Sequence, residues 1–352
     1  MEAYGSVSMV KGLAFAVLVA VSLAGCNPSS EVQEAANADS VVTPQEAARV
    51  ELVPFQSARV DSFRLRLAPG QTFRYRVRQF AESGSDSAVA TTTSTHVYTK
   101  TVRSVRSDGS YEIAMRFDSV KVDYSVKNRI TGAVLGEQRF NSADTAQRNR
   151  PEMVQFSALI GENVSIFVSP TGSILEVGDV TPIVKKMVAA TKQEVPPAYM
   201  AQFGEQIKQA IYASFYGQEN VPFPKAGIDS SGRWTNTSTS NLGELFTVAT
   251  TATYTIAGFR TVQSRKIAEI NAVLNGQFTV KPMPKSAKFA VKLTSSKISG
   301  KSHSLLDATN GITVSKSNEI LLNVEADLTI EKQGTRRITQ SQINRYEIEL
   351  LP

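Results

Sequence analysis

One cysteine, two histidines and a handful of closely spaced carboxylates are the side chains of this sequence that could carry chemistry. Cys26 is the only thiol, so no disulfide can close within the chain and no cysteine-based zinc or redox centre can form. What remains open to it is attachment of another group. His96 and His303 stand more than two hundred residues apart, and neither has a carboxylate, cysteine or second histidine at ligand spacing. Both read as structural or surface histidines. Asp307 and Asn310 lack the regular oxygen spacing of a calcium loop. Glu325 and Asp327 share a strand face and read as a solvated pair, while Asp118 and Asp123 fall on opposite faces if their strand alternates throughout. No GxSxG, HExxH or P-loop pattern occurs. The expectation is a protein that is not an enzyme and needs no metal or cofactor.

The segment that positions Cys26 is more informative. Lys11 precedes the apolar run Gly12–Gly25, which has the length of a signal-peptide hydrophobic region and falls short of a bilayer-crossing helix. A start at Met9 would give the cleaner basic leader, because Glu2 is unusual there. The run ends in Leu23-Ala24-Gly25-Cys26, which resembles the lipobox of bacterial lipoproteins residue for residue. That resemblance implies cleavage between Gly25 and Cys26 and a diacylglyceryl group on the Cys26 thiol, so that a membrane is the first partner. The alternative is an ordinary secretory signal with an inert cysteine. Asn27, where retention in the inner membrane would call for aspartate, points to an outer-membrane lipoprotein facing the periplasm. Residues 26–51, rich in Ala, Ser, Asn, Glu and Gln, read as the lipidated cysteine and a disordered tether.

That tether holds five carboxylates against Arg49, so the net charge of +6 concentrates in the body that follows. A basic body favours anionic partners such as headgroups or acidic polymer, or serves solubility; no nucleic-acid partner is expected. Phe63, Leu65 and Leu67 alternate with Arg64 and Arg66, and beyond Ala68-Pro69-Gly70-Gln71 the residues Phe73, Tyr75 and Val77 alternate with Arg74, Arg76 and Arg78. The pattern predicts a β-hairpin whose outer face gathers five arginines. Such a row is either an anion patch or a solvated face paired with carboxylates from adjacent strands.

Further strands are expected at Thr95–Arg106, with Val97, Thr99 and Thr101 on one face, and at Tyr111–Val126, with Ile113, Met115 and Phe117 inward. Residues 131–151 read as a loop, and two short strands flank Ser169-Pro170-Thr171-Gly172. Two helices follow. The second, Pro197 to about Tyr216 and ended by Gly217, aligns Met200, Phe203, Ile207, Ile211 and Phe215 on a stripe that reads as core rather than as an acyl pocket. Strands then resume to the C-terminus, and SIFVSPTGSI at Ser165 resembles SLLDATNGI at Ser304 in a way that hints at duplication. The fold class is thus mostly β: two antiparallel curved lobes, 52–180 and 221–352, with a two-helix segment 181–220 between them.

The order of lipobox, tether, an APGQTFRYRV opening strand, VSPTGSILEVGD, helices, GRW and a second β half resembles uncharacterised bacterial lipoproteins classed as a domain of unknown function. A looser similarity is to the half-barrel of lipoprotein carriers, which implies a curved sheet closed by helices around an apolar cavity. The functional expectation is a non-catalytic envelope module binding an apolar or anionic ligand; the alternative is an assembly protein docking onto another envelope protein.

Overall fold

The computed structural model describes residues 42–56, 63–191, 196–224, 227–242, 245–282, 287 and 289–352. The signal segment, Cys26 and the tether as far as residue 41 lie outside the described residues. The remainder of the expected tether does not hang free. Thr43-Pro44-Gln45-Glu46 forms a capping box, with Thr43 and Glu46 satisfying each other's backbone N–H groups, and starts α1 (Pro44–Ala48). Val42, Ala47 and Val50 then pack on Val262, Ile267, Leu305 and Val314, which fixes the segment to the body.

Thirteen strands of the described residues form one curved, open, antiparallel sheet. In chain order they are β1 (Val53–Pro54), β2 (Thr72–Gly84), β3 (Ala88–Val105), β4 (Tyr111–Asn128), β5 (Val134–Asn141), β6 (Asn163–Val168), β7 (Ile174–Val177), β8 (Arg233–Leu242), β9 (Phe246–Val262), β10 (Arg265–Val280), β11 (Phe289–Asp307), β12 (Ile312–Ile330) and β13 (Gly334–Leu351). The two expected strand sets are stitched together: β13 pairs with β2, Tyr346 opposite Gln79 and Ile348 opposite Val77. The mostly-β, antiparallel class is as expected, and the helices lie between the two sets in sequence.

Three local expectations need correction. The predicted hairpin does not form, although Ala68–Gln71 does turn, with the Gln71 N–H bonded to the Ala68 carbonyl at 3.1 Å. β2 already has β13 on one side and β3 on the other, so no edge is left for residues 63–67. They run instead between two distant turns: Leu65 N–H donates to Pro170 O at 2.8 Å and Arg66 N–H to Asn310 O at 3.0 Å. Gly311 makes this possible, since its φ is +74° and a Cβ there would sit 2.4 Å from Arg64 O. The expected loop 131–151 contains β5, paired to β4 from Lys121 to Lys127, and a helical turn, Thr145–Arg148, capped by Asp144.

The helices are α2 (Thr181–Thr191) and α3 (Pro197–Ile211). Ile183 and Val184 of α2 and Ile207 and Ile211 of α3 are buried against Phe117, Val164 and Ile166 of the sheet, as the apolar stripe predicts. Each such side chain stabilises the packing by about 1.5–3 kcal/mol. Gly217 does not end the second helix. The chain widens into a π-turn, Tyr212–Tyr216, and continues as Gly217–Glu219. A Cβ at Gly217 would meet the Tyr212 carbonyl at 2.8 Å, which explains the glycine. The face bearing α2 and α3 is hereafter the inner face.

Candidate ligand-binding surface

The arginines are not gathered as the sequence predicts. Arg64 and Arg66 stand off the sheet, and Arg66 donates to Thr309 O. Arg74, Arg76 and Arg78 do share the outer face, yet each has a carboxylate: Asp118 at 3.7 Å, Glu349 at 3.5 Å and Glu347 at 3.6 Å. Arg76 and Arg78 line an outer pocket of about 420 Å³ with Pro44, His303, Glu347 and Glu349. Its charges are therefore balanced in pairs, and half-exposed pairs of this kind contribute only about 0–1 kcal/mol each.

The inner face carries a polar arrangement that the residue pattern alone does not reveal. The tail of the second helix turns Glu219 onto the sheet, where its carboxylate pairs with Lys100 and accepts from Tyr98 Oη at 2.8 Å. Its carbonyl accepts from Thr313 Oγ1 at 2.9 Å. The next residue's carbonyl takes Lys316 Nζ at 2.7 Å, and Gln218 O takes Asn318 Nδ2 at 3.2 Å. Burial and the Glu219 charge push the phenols of Tyr75 and Tyr98 well up, and burial brings Lys316 down to about 7. This network plugs the inner face and ties the helices to both strand sets.

Beside the plug, one register row crosses the sheet: Ser302 of β11, Asn318 of β12, Tyr346 of β13, Gln79 of β2 and Ser94 of β3. His96, two residues from Ser94, stands edge-on to Phe215 with ring centres 4.9 Å apart. Gln79 Nε2 donates to Tyr346 Oη at 3.0 Å. Gln79 Oε1, Ser94 Oγ, Ser302 Oγ and both His96 nitrogens are buried without a partner among the described residues, an arrangement that costs free energy unless something else supplies the hydrogen bonds.

Burial lowers the His96 pKa from 6.5 to about 4. A base whose folded pKa is depressed adds stability that is present above the unfolded value and is lost as pH falls through the folded one. Between pH 6.5 and 4 this loss is on the order of 3 kcal/mol. We expect His96→Leu to lose about that much less stability than the unaltered protein on going from pH 7 to 4.5. Urea unfolding at both pH values measures it, and parallel losses would refute the assignment.

Beyond the polar row the inner face turns apolar. Register and alternation place Leu274 and Phe278 of β10, Leu293 and Ile298 of β11, and Leu322, Val324 and Leu328 of β12 side by side. They are half-buried or buried, whereas on β10 the outward Asn271, Val273, Asn275, Gln277 and Thr279 are all exposed. The apolar side chains of α2 and α3 pack on β3, β4 and β6 and on the end of β13, and no helix of the described residues shares a buried apolar cluster with this stretch. It is an apolar surface with a polar margin.

The remaining residues singled out by sequence are dispersed. His303 is half-exposed and its Nε2 lies 3.2 Å from Glu269. A β-bulge between Val97 and Tyr98 puts Asp118 with Thr99 and Arg74 on the outer face. Asp123, paired with Arg139, is on that same face, so the expected opposition fails because alternation breaks there. Asp327 pairs with Arg337, and Asp307 caps its turn and pairs with Arg265. Among the described residues no group of three His, Cys, Asp or Glu could hold a metal, and no helix is long and apolar enough to cross a membrane.

Residues 108–313 match the model of a family of unknown function, DUF6263. No curated protein matches in sequence. Among solved structures, lipovitellin, described for its lipid–protein interactions, is 11% identical with a TM-score of 0.44 over 82% of this chain and 26% of its own. The chain thus spans about a quarter of that protein. An outer membrane channel from Pseudomonas putida F1 is 9% identical, with a TM-score of 0.22 over 82% of this chain and 97% of the channel. A DUF1329 family protein from Desulfovibrio piger is 7% identical, with a TM-score of 0.14 over 79% and 85% of the two chains. Superpositions this partial do not bear on function.

Proposed function

The chain belongs to DUF6263, a family of unknown function whose model spans more than half of it, and from that premise we propose a non-catalytic envelope module. It is held to a membrane by lipid on Cys26 and carries an apolar or amphipathic ligand on the inner face of β10–β12. The observation that carries this reading is the apolar stretch around Leu274, Ile298 and Leu322, which shares no buried apolar cluster with a described helix. Each methylene laid on such a surface gains up to about 0.8 kcal/mol. The anionic alternative has less support, because Arg74, Arg76 and Arg78 already face carboxylates. Asn27 supports residence on the outer membrane, facing the periplasm.

Full-length protein extracted in mild detergent and analysed by lipid mass spectrometry is expected to retain lipid in addition to its anchor. Leu322→Asp should remove that lipid while leaving the anchor and the thermal midpoint of the fold in place. Equal lipid in both forms would defeat the reading. One observation favours a docking role instead: among the described residues β8 pairs only with β9, and none of them occupies its other edge. Crosslinking from Thr237 in cells would then capture one dominant envelope protein.

A further inference from the structure

The polar margin of the apolar face has the chemistry of a headgroup site, and we propose that it receives the uncharged, hydroxyl-bearing head of a lipid whose acyl chain lies on β10–β12. The inference rests on the binding function proposed above and adds the class of ligand. Gln79 Oε1 can only accept a hydrogen bond, so its partner must donate. Ser94 Oγ and Ser302 Oγ each donate and accept. The buried imidazole of His96 is neutral and offers one donor and one acceptor. Gln79, Ser94 and His96 are all less than a tenth exposed, and none of these free atoms has a partner among the described residues.

The set carries no charge. The nearest buried cations are committed elsewhere, Lys100 to Glu219 and Lys316 to the Asn220 carbonyl. A phosphate or carboxylate entering the row would therefore lose its hydration without gaining a counter-ion. A simple ester or hydrocarbon would supply acceptors or nothing, and would leave Gln79 Oε1 unmet. A glycerol-type head, with hydroxyls that both donate and accept, matches the needs of the neighbouring Gln79, Ser94 and His96; Ser302 stands at the other end of the row, about 19 Å along the sheet at roughly 4.8 Å per strand, and is not part of that head's site. Its chain would leave the row along Ile320, Leu322 and Val324, which continue on the same face of β12.

The test uses full-length protein with 1-monooleoylglycerol, methyl oleate and oleoyl phosphate, each titrated in detergent and read by native mass spectrometry. Monooleoylglycerol should bind about tenfold more tightly than methyl oleate, the yield of one or two hydrogen bonds, and oleoyl phosphate no better than methyl oleate. In the Gln79→Met, Ser94→Ala protein the preference should vanish while methyl oleate binding persists. Equal binding of the three lipids by the unaltered protein overturns the headgroup site and leaves the apolar surface standing. A preference that survives the double substitution also overturns it and points to ordered water in the row. Absence of binding by all three overturns the site and the binding function together.

Discussion

In cells fed an alkyne fatty acid, the unaltered protein takes up the probe and the Cys26→Ser form takes up none. Mass analysis of the unaltered protein gives a chain beginning at Cys26 and heavier by a diacylglyceryl group, whereas the serine form retains residues before 26. The effect is complete because serine offers no thiol for thioether formation and Cys26 has no substitute in the chain. Its consequence for anchoring follows from chain length: at about 0.8 kcal/mol per buried methylene, one acyl chain binds marginally and two bind stably. The body should stay close to the bilayer. Val42, pinned beneath Leu305 and Val314, is separated from the anchor by a stretch that reaches at most roughly 55 Å when fully extended. Equal probe uptake by both forms, or a serine form cut at the same place, would remove the membrane from the functional reading.

Where one face of a strand is apolar and the other is not, the sequence is enough to place it. Ile113, Met115 and Phe117 point inward in β4 as their alternation predicts, and the α3 stripe packs as core. The alternation of Phe63 and Leu65 with Arg64 and Arg66 is equally real, since the first two are buried and the arginines exposed. It signals only an extended chain with one side covered, and the partners that set its hydrogen bonds, Pro170 and Asn310, are remote in sequence. The candidate surface was hidden for a related reason. In β3 both faces read as polar, so nothing distinguishes the inward Thr92, Ser94, His96 and Lys100 from the outward Thr93, Thr95 and Thr99. Tyr98 and Val102 lean toward the side that is in fact buried, while Val97 stands on the other. Nor can local pattern show that β13 returns to β2, the pairing that aligns Gln79 with Tyr346.

Removing the Glu219 carboxylate should be the most destabilising single change in the plug. Glu219→Ala strands Lys100, whose side chain is 8% exposed, between the rings of Tyr75 and Tyr216 with its ammonium 4.6 and 5.1 Å from their centres. Ring faces attract a cation but do not replace a carboxylate in a dry site. Tyr98 Oη loses its acceptor as well. Breaking a buried pair from one side costs about 3–5 kcal/mol, chiefly as the penalty of the charge left behind, and urea denaturation should show a loss of that size. The pair itself need not be so valuable. Lys100→Met combined with Glu219→Gln removes both charges, keeps an acceptor for Tyr98 and leaves the Thr313 bond to the residue 219 carbonyl intact, so it should recover most of the loss. A double variant as unstable as Glu219→Ala would mean that the carboxylate acts through something other than Lys100. If the double variant is instead near the unaltered protein, the ion pair serves mainly to fix where the helix tail lands. That landing point sets the border between the filled half of the inner face and the apolar half left for a ligand.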